Sequence, residues 1–327
     1  MAAGIGRRQF ISALGGAAAW PLAARAEDQY PSRTVRIIVP SSAGGITDLL
    51  ARVIGKALSE AWGQPVVIEN RPGADELIGA QEVVKAPADG YMLLVASNAA
   101  ITAARFLHNH MPFDSQKDLT PIAMLGEITP VMAVVATLPV NSVQELIALA
   151  KSKPGELNYG SFGNGTYSHV AMEDFKLRTG TQLVHVPYKG ATPAITALIR
   201  GEVQVVIVNL SSIGPHVKSG AVRIIAAASA KRNAFRPDLP TVAELGVPGF
   251  STGAWWGLFG PANLPPPVLD KIRTDVARAL ATLDARSLFE TNTFKLVQQT
   301  PAQFVQYISD DLDNWARQIK AAGIQPD

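Results

Sequence analysis

Apolar residues fall into short unbroken runs bounded by Gly, Pro, Ser and Asn, and these runs alternate with segments whose apolar positions recur every three or four residues. Residues 34–39 and 91–96 are runs of the first kind, ended by Pro40 and introduced by Asp89-Gly90, and read as strands buried on both faces. Between them, Leu49, Leu50, Val53, Ile54, Ala57, Leu58 and Ala61 keep helical spacing until Gly63 stops the helix. Residues 65–69 form another strand, and Asn70-Arg71-Pro72-Gly73 turns into a helix near 78–85. This strand–helix rhythm predicts a parallel sheet covered by helices on both faces.

The rhythm repeats. Residues 131–136, 157–160, 183–186, 203–208 and 222–227 read as strands, with helices over 142–151, 167–178 and from Thr192-Pro193 to Gly201. After Gly249 come one apolar strand at 255–259, a helix from Pro265 to Leu280, and a helix over 301–322. The last carries Phe304, Ile308, Leu312, Trp315 and Ile319 on one stripe. These late elements lack the strands for a sheet of their own, so they are expected to return to the first unit. The fold class is therefore a two-lobed α/β protein, each lobe a mostly parallel sheet flanked by helices, with a cleft between. Residues 27–127 begin lobe 1, 128–248 form lobe 2, and 249–327 complete lobe 1.

Residues 1–26 stand apart. Arg7-Arg8 precedes a weakly apolar Gly/Ala-rich run, and Ala24-Arg25-Ala26 offers small residues for a signal peptidase, the pattern of a cleaved, twin-arginine-like export signal. Its removal takes away three arginines and no acids, turning a formal net charge of +2 into −1. The remaining chain is expected to be exported and soluble. With 47% hydrophobic and 17% charged residues it is not a disordered chain, and with no cysteine it holds neither disulfide nor thiolate metal site.

Three loop-to-helix junctions carry the candidate chemistry. In 40–48, Ser41, Ser42, Ala43, Gly44, Gly45, Thr47 and Asp48 follow a strand and open a helix, where glycines expose backbone N–H groups and the helix start leaves others unpaired. Such a turn suits a carboxylate, although Thr47 or Asp48 could serve only as the helix cap. Ser161, Gly163, Asn164, Gly165 and Thr166 repeat the arrangement ahead of His169, which either donates to a ligand or packs in its helix. The third junction, 186–190, offers Tyr188 and Lys189, the latter as a point charge or a solvated turn residue. Ser97, Asn98 and Asn209 sit at strand ends and could reach a cleft edge. No Walker lysine, dinucleotide fingerprint, nucleophile elbow or His-Glu-x-x-His pattern occurs. The isolated pair His108-x-His110 reads as surface, so neither metal nor cofactor is expected.

The sequence resembles the periplasmic solute receptors of the tripartite tricarboxylate transporter family, also called Bug receptors. The resemblance rests on Val39-Pro40, Ala43-Gly44-Gly45-x-Thr47-Asp48, Asn70-Arg71-Pro72-Gly73-Ala74, Ile78-Gly79-Ala80 and Asp89-Gly90-Tyr91. It continues through Gly160-Ser161-x-Gly163-x-Gly165-Thr166, His169, His185-Val186-Pro187-Tyr188-Lys189-Gly190, Pro240-Thr241-Val242-x-Glu244-x-Gly246 and Pro301-x-x-Phe304. It implies a type II periplasmic binding protein fold that closes on a di- or tricarboxylate, an acidic amino acid or an aromatic acid. By resemblance, Ala43, Gly44, Gly45, Thr47, Ser161, Gly163, Gly165 and Thr166 clamp a carboxylate, and a membrane permease receives it. Two positions depart from the family: Ser41 replaces an aromatic residue, and Pro-Gly-Ala-Gly-Gly becomes Pro72-Gly73-Ala74-Asp75-Glu76. Two acids pointing into the cleft would repel an anion; they could instead cap a helix, face solvent or recognise an amine. Rival readings are an exported enzyme using His169, Asp48 or Lys189, and a sensory partner presenting its ligand to a receptor kinase.

Overall fold

The computed structural model describes residues 30–74, 76–232, 236–281, 293–297 and 299–326. The expected export signal and Asp75 lie outside these residues.

The chain runs through β1 (Val35–Val39), α1 (Ile46–Trp62), β2 (Val66–Asn70), α2 (Leu77–Val84) and β3 (Met92–Ser97). A π-helical turn (Ala99–Ala103) continues into α3 (Ala104–Leu107) and then β4 (Leu119–Ile128). Next come β5 (Pro130–Val135), α4 (Val143–Ser152), β6 (Leu157–Ser161), α5 (Tyr167–Thr179), β7 (Leu183–Pro187), α6 (Ala191–Arg200), β8 (Val205–Asn209), α7 (Leu210–Lys218) and β9 (Val222–Ala227). The last described elements are β10 (Trp255–Pro261), α8 (Pro266–Leu280), β11 (Phe294–Lys295) and α9 (Pro301–Ala322).

Among the described residues the strands form two sheets, ordered β11-β4-β10-β3-β1-β2 and β7-β6-β8-β5-β9. Both are mixed: β1 to β4 share one direction in the first, and β6 to β9 share one direction in the second. β1 pairs parallel with β2 and β3, but β10 runs antiparallel to β3 and β4, and β5 antiparallel to β8 and β9. Parallel neighbours need a crossover within their own sheet. β5 and β10 instead enter from the other lobe and are free of that constraint.

The first sheet is buried on both faces, as its apolar strands require. Val35, Ile37 and Val39 of β1 pack with α1 and α8, while Ile38 turns to the opposite core with Trp255, Phe259 and Phe304. α1 buries Leu50, Ala51, Ile54 and Leu58, and Gly63 ends it in the left-handed conformation, its N–H donating to Ser59 O. A full capping box between Thr300 and Gln303, with Pro301 at the first turn, starts α9 where the sequence placed it. That helix joins the lobes. Its Trp315 and Ile319 pack with Ala103 of the first lobe and Val170 of the second in one buried cluster.

Candidate functional site

The 40–48 loop is organised by an acid four residues downstream of its glycine. Asp48 Oδ2 accepts from Gly44 N–H and from Arg52 Nε, each at 2.9 Å, and Oδ1 accepts from Asn70 Nδ2 at 3.0 Å. The Arg52 bond, followed by those of Gly44 and Asn70, holds the Asp48 carboxyl below its ordinary value despite burial. Asp48 is thus a clamp inside the loop, and the Gly44 amide, expected to meet a ligand, is already occupied. Gly44 still matters as a turn, since its φ of 87° is easy only for glycine. Among the described residues the amides of Gly45, Ile46 and Thr47 make no hydrogen bond, and no side chain caps α1. Ser41 Oγ is buried without a partner, while residues 42–45 are exposed.

The 160–169 loop uses neutral groups for the same task. His169 Nδ1 accepts from Gly165 N–H at 3.1 Å, Ser168 Oγ from Phe162 N–H at 3.1 Å, and Ser161 Oγ from Gly163 N–H at 3.2 Å. His169 therefore packs beneath the loop rather than reaching out of it, and the Gly163 and Gly165 amides are occupied as well. Its ring stacks on His185 at 4.0 Å between centroids, and His185 Nε2 lies 2.6 Å from Ser161 Oγ. Burial holds both imidazoles below the ordinary histidine value, with His185 pushed down to about 4 by burial and by the neighbouring His169. The amides of Asn164 and Tyr167 make no hydrogen bond among the described residues.

A cavity of about 280 Å³ lies between the lobes. Ser97, Asn98 and Leu107 line it from the first lobe, Phe162, Asn164, Gly165, Thr166 and Tyr167 from the second, and Ile128 and Ala254 from the segments joining them. Ala99, Ala103, Ala104, His108, Trp256 and Trp315 complete the wall, and among the described residues no lysine or arginine lines it. Ser41 to Thr47 do not line this cavity, but α1 abuts its wall, because Trp256 Nε1 donates to Thr47 Oγ1 at 2.8 Å. Across the lobes, a Cβ on Gly165 would stand 2.9 Å from Leu107 Cδ1 and Cδ2. A second cavity of about 510 Å³ borders the same joining segments and carries Lys231, Arg232 and Lys295 with Glu127, Asp310 and Asp311.

Other candidates are structural in their visible contacts. Tyr188 N–H donates to Ser161 O at 3.0 Å, tying the third junction to the second. Asn209 ends β8; its Nδ2 donates to Ser211 Oγ at 2.7 Å and its Oδ1 accepts from Thr293 Oγ1 of the other lobe at 3.2 Å. Trp256, Leu107, Phe162, Tyr167 and Trp315 were not among the candidate residues. Strand alternation separates Trp255 from Trp256 onto opposite faces, but only the sheet order reveals which one meets the cleft.

This geometry places two helix starts from opposite lobes beside one cavity. A sequence model described as the tripartite tricarboxylate transporter family receptor matches residues 50–324. The chain belongs to that family. Protein BugT of Bordetella pertussis is 35% identical to this receptor over 297 residues, spanning 90% of this chain and 91% of its own. The R. palustris protein Rpa4515, solved with adipate, is 34% identical and superposes with a TM-score of 0.79 over 91% of this chain and 99% of its own. MatC from Rhodopseudomonas palustris, solved with bound malate, is 30% identical with a TM-score of 0.74, covering 89% and 100%. The receptor thus has the two-lobed fold of periplasmic binding proteins. No helix among the described residues is long and apolar enough to cross a membrane.

Proposed function

We propose that this receptor is exported by its first 26 residues, captures a small organic carboxylate between its lobes in the periplasm, and presents it to a membrane permease. The observation that carries the reading is the start of α5, where Asn164 and Tyr167, with unbonded amides, line the interlobe cavity, while the start of α1 is joined to the cavity wall through Thr47 and Trp256. Such amides bind an anion by charge-assisted hydrogen bonds aided by the helix dipole, and they need no basic side chain. Gly45, Ile46 and Thr47 would hold the acid from the first lobe, and Asn164, Tyr167 and the Thr166 side chain from the second. Ser161, Gly163, Gly165 and His169 shape the second loop, and Asp48 and Gly44 the first.

The same inventory supports capture without chemistry. The imidazole of His169 is buried under its loop and Asp48 is ion-paired, so neither is poised to move a proton. Leu107 stands against Gly165 and α9 packs on both lobes, contacts across the lobes that a bound acid would reinforce. Calorimetric titration with adipate, malate, caproate and benzoate should give a saturable one-site isotherm for at least one acid, recovered unchanged after prolonged incubation. No binding by any of them, or conversion of the bound acid, would count against the reading.

A further inference from the structure

Glu76 occupies a position that an acid takes only with help. Its backbone sits at φ 74°, ψ −3°, the left-handed region that residues other than glycine adopt rarely and at a cost. Two bonds hold its carboxylate against the end of β3: Ser97 Oγ donates to Oε2 at 2.9 Å, and Ser97 N–H donates to the same oxygen at 3.3 Å. Ser97 Oγ in turn accepts from Ala99 N–H at 3.2 Å. A hydroxyl has one proton, and here it points at Glu76. Ser97 is buried and lines the interlobe cavity, so what it can offer there is a lone pair with a negative charge behind it. The same cavity is lined by residues at the start of α5 and by Leu107, Phe162 and Tyr167.

We infer that Glu76, acting through Ser97, is a specificity-determining acid that restricts this receptor to ligands with a single carboxylate, whose other end is uncharged or a hydrogen-bond donor. The inference rests on the carboxylate reading above and names the class of acid within it. A second carboxylate near Ser97 meets like charge, and among the described residues no lysine or arginine lines the cavity to offset it. An ammonium or hydroxyl at the same place finds an acceptor whose electron density the Glu76 carboxylate enriches.

Three acids with one carbon skeleton test this: caproate, ε-aminocaproate and adipate, which differ only in a distal methyl, ammonium or carboxylate. For the unmodified receptor, calorimetry should rank adipate at least about tenfold weaker than either of the others. Glu76→Gln should remove most of that gap and weaken ε-aminocaproate relative to caproate. Adipate binding as tightly as caproate to the unmodified receptor overturns the inference, as does a ranking that Glu76→Gln leaves unchanged. The unmodified ranking decides the matter if the variant does not fold. Equal binding of all three leaves the carboxylate reading standing and removes only this one. No binding by these three, by malate or by benzoate removes both.

Discussion

The 40–48 and 160–169 loops have the same plan, a buried strand running through a glycine turn into a long helix, yet they are closed by opposite chemistry. In the first lobe a carboxylate, Asp48, takes the glycine N–H and is itself held by Arg52 and Asn70. In the second an imidazole, His169, does so, stacked on His185 in a buried site. The difference teaches that glycine-rich turns are not open racks of donors. The side chain four residues downstream decides which amides are occupied, and therefore which remain for a ligand. It also gives the loops different charge and different responses to pH.

The largest effect should come from the support under the first loop. A Cβ on Gly79 of α2 would lie 2.8 Å from Pro40 Cβ and 2.9 Å from both Pro40 Cα and Arg71 O. Backbone atoms cannot step aside, so Gly79→Ala should cost about 3 kcal/mol in denaturant unfolding and abolish most carboxylate binding. The turn glycines themselves sharpen the contrast. Gly165→Ala combines a left-handed alanine with the 2.9 Å approach to Leu107 of the other lobe, whereas Gly44→Ala meets nothing within 4 Å. We expect about 2 kcal/mol and a matching loss of affinity for the former, and about 1 kcal/mol with smaller loss for the latter, both read by calorimetry and chemical denaturation.

Acid should separate the loops. His169 and His185 are held neutral, with Glu173 opposing the shift and Lys176 supporting it. Below the ordinary value of 6.5 the unfolded chain binds protons that the folded pair refuses, so stability is complete above about pH 6.5 and declines as pH falls toward about 4. Asp48 is lowered below its ordinary 3.8, so its contribution is present above that value and is lost only at still lower pH. Melting curves should therefore fall by on the order of 5 °C between neutral pH and the lower end of the histidine window, and His185→Asn should flatten the decline. The smallest effect belongs to Trp256→Phe, which removes the donor to buried Thr47 Oγ1 and should cost about 1 kcal/mol with a few-fold drop in affinity.

Much of this architecture was legible in the sequence where local rules are strong. The α9 stripe, its Thr300-Pro301 start, and the strand–turn–helix junctions stand where periodicity and turn residues placed them. β4 escaped notice because Pro121 and Gly126 interrupt its pattern and bulges shift its register against β10. α7 escaped because Gly214 and Pro215 lie inside it. Within the site, the loops were readable but their internal bonding was not. The sequence leaves Asp48 and His169 open between a ligand contact and a structural role, since reach-back bonds to Gly44 and Gly165 depend on how the turns fold. The cavity wall was hidden for another reason: Leu107, Trp256 and Trp315 meet only because β10 inserts beside β3 and α9 spans the lobes.

The central claim is that free amides at two opposed helix starts bind the acid. It is tested most directly by an amide-resolved nuclear magnetic resonance titration of the nitrogen-labelled receptor with caproate. Gly45, Ile46 and Thr47 in one lobe and Asn164 and Tyr167 in the other should show the largest shifts, ahead of the already bonded Gly44 and Gly165. Shifts confined to the cavity carrying Lys231, Arg232 and Lys295, with those five amides unmoved, would contradict it.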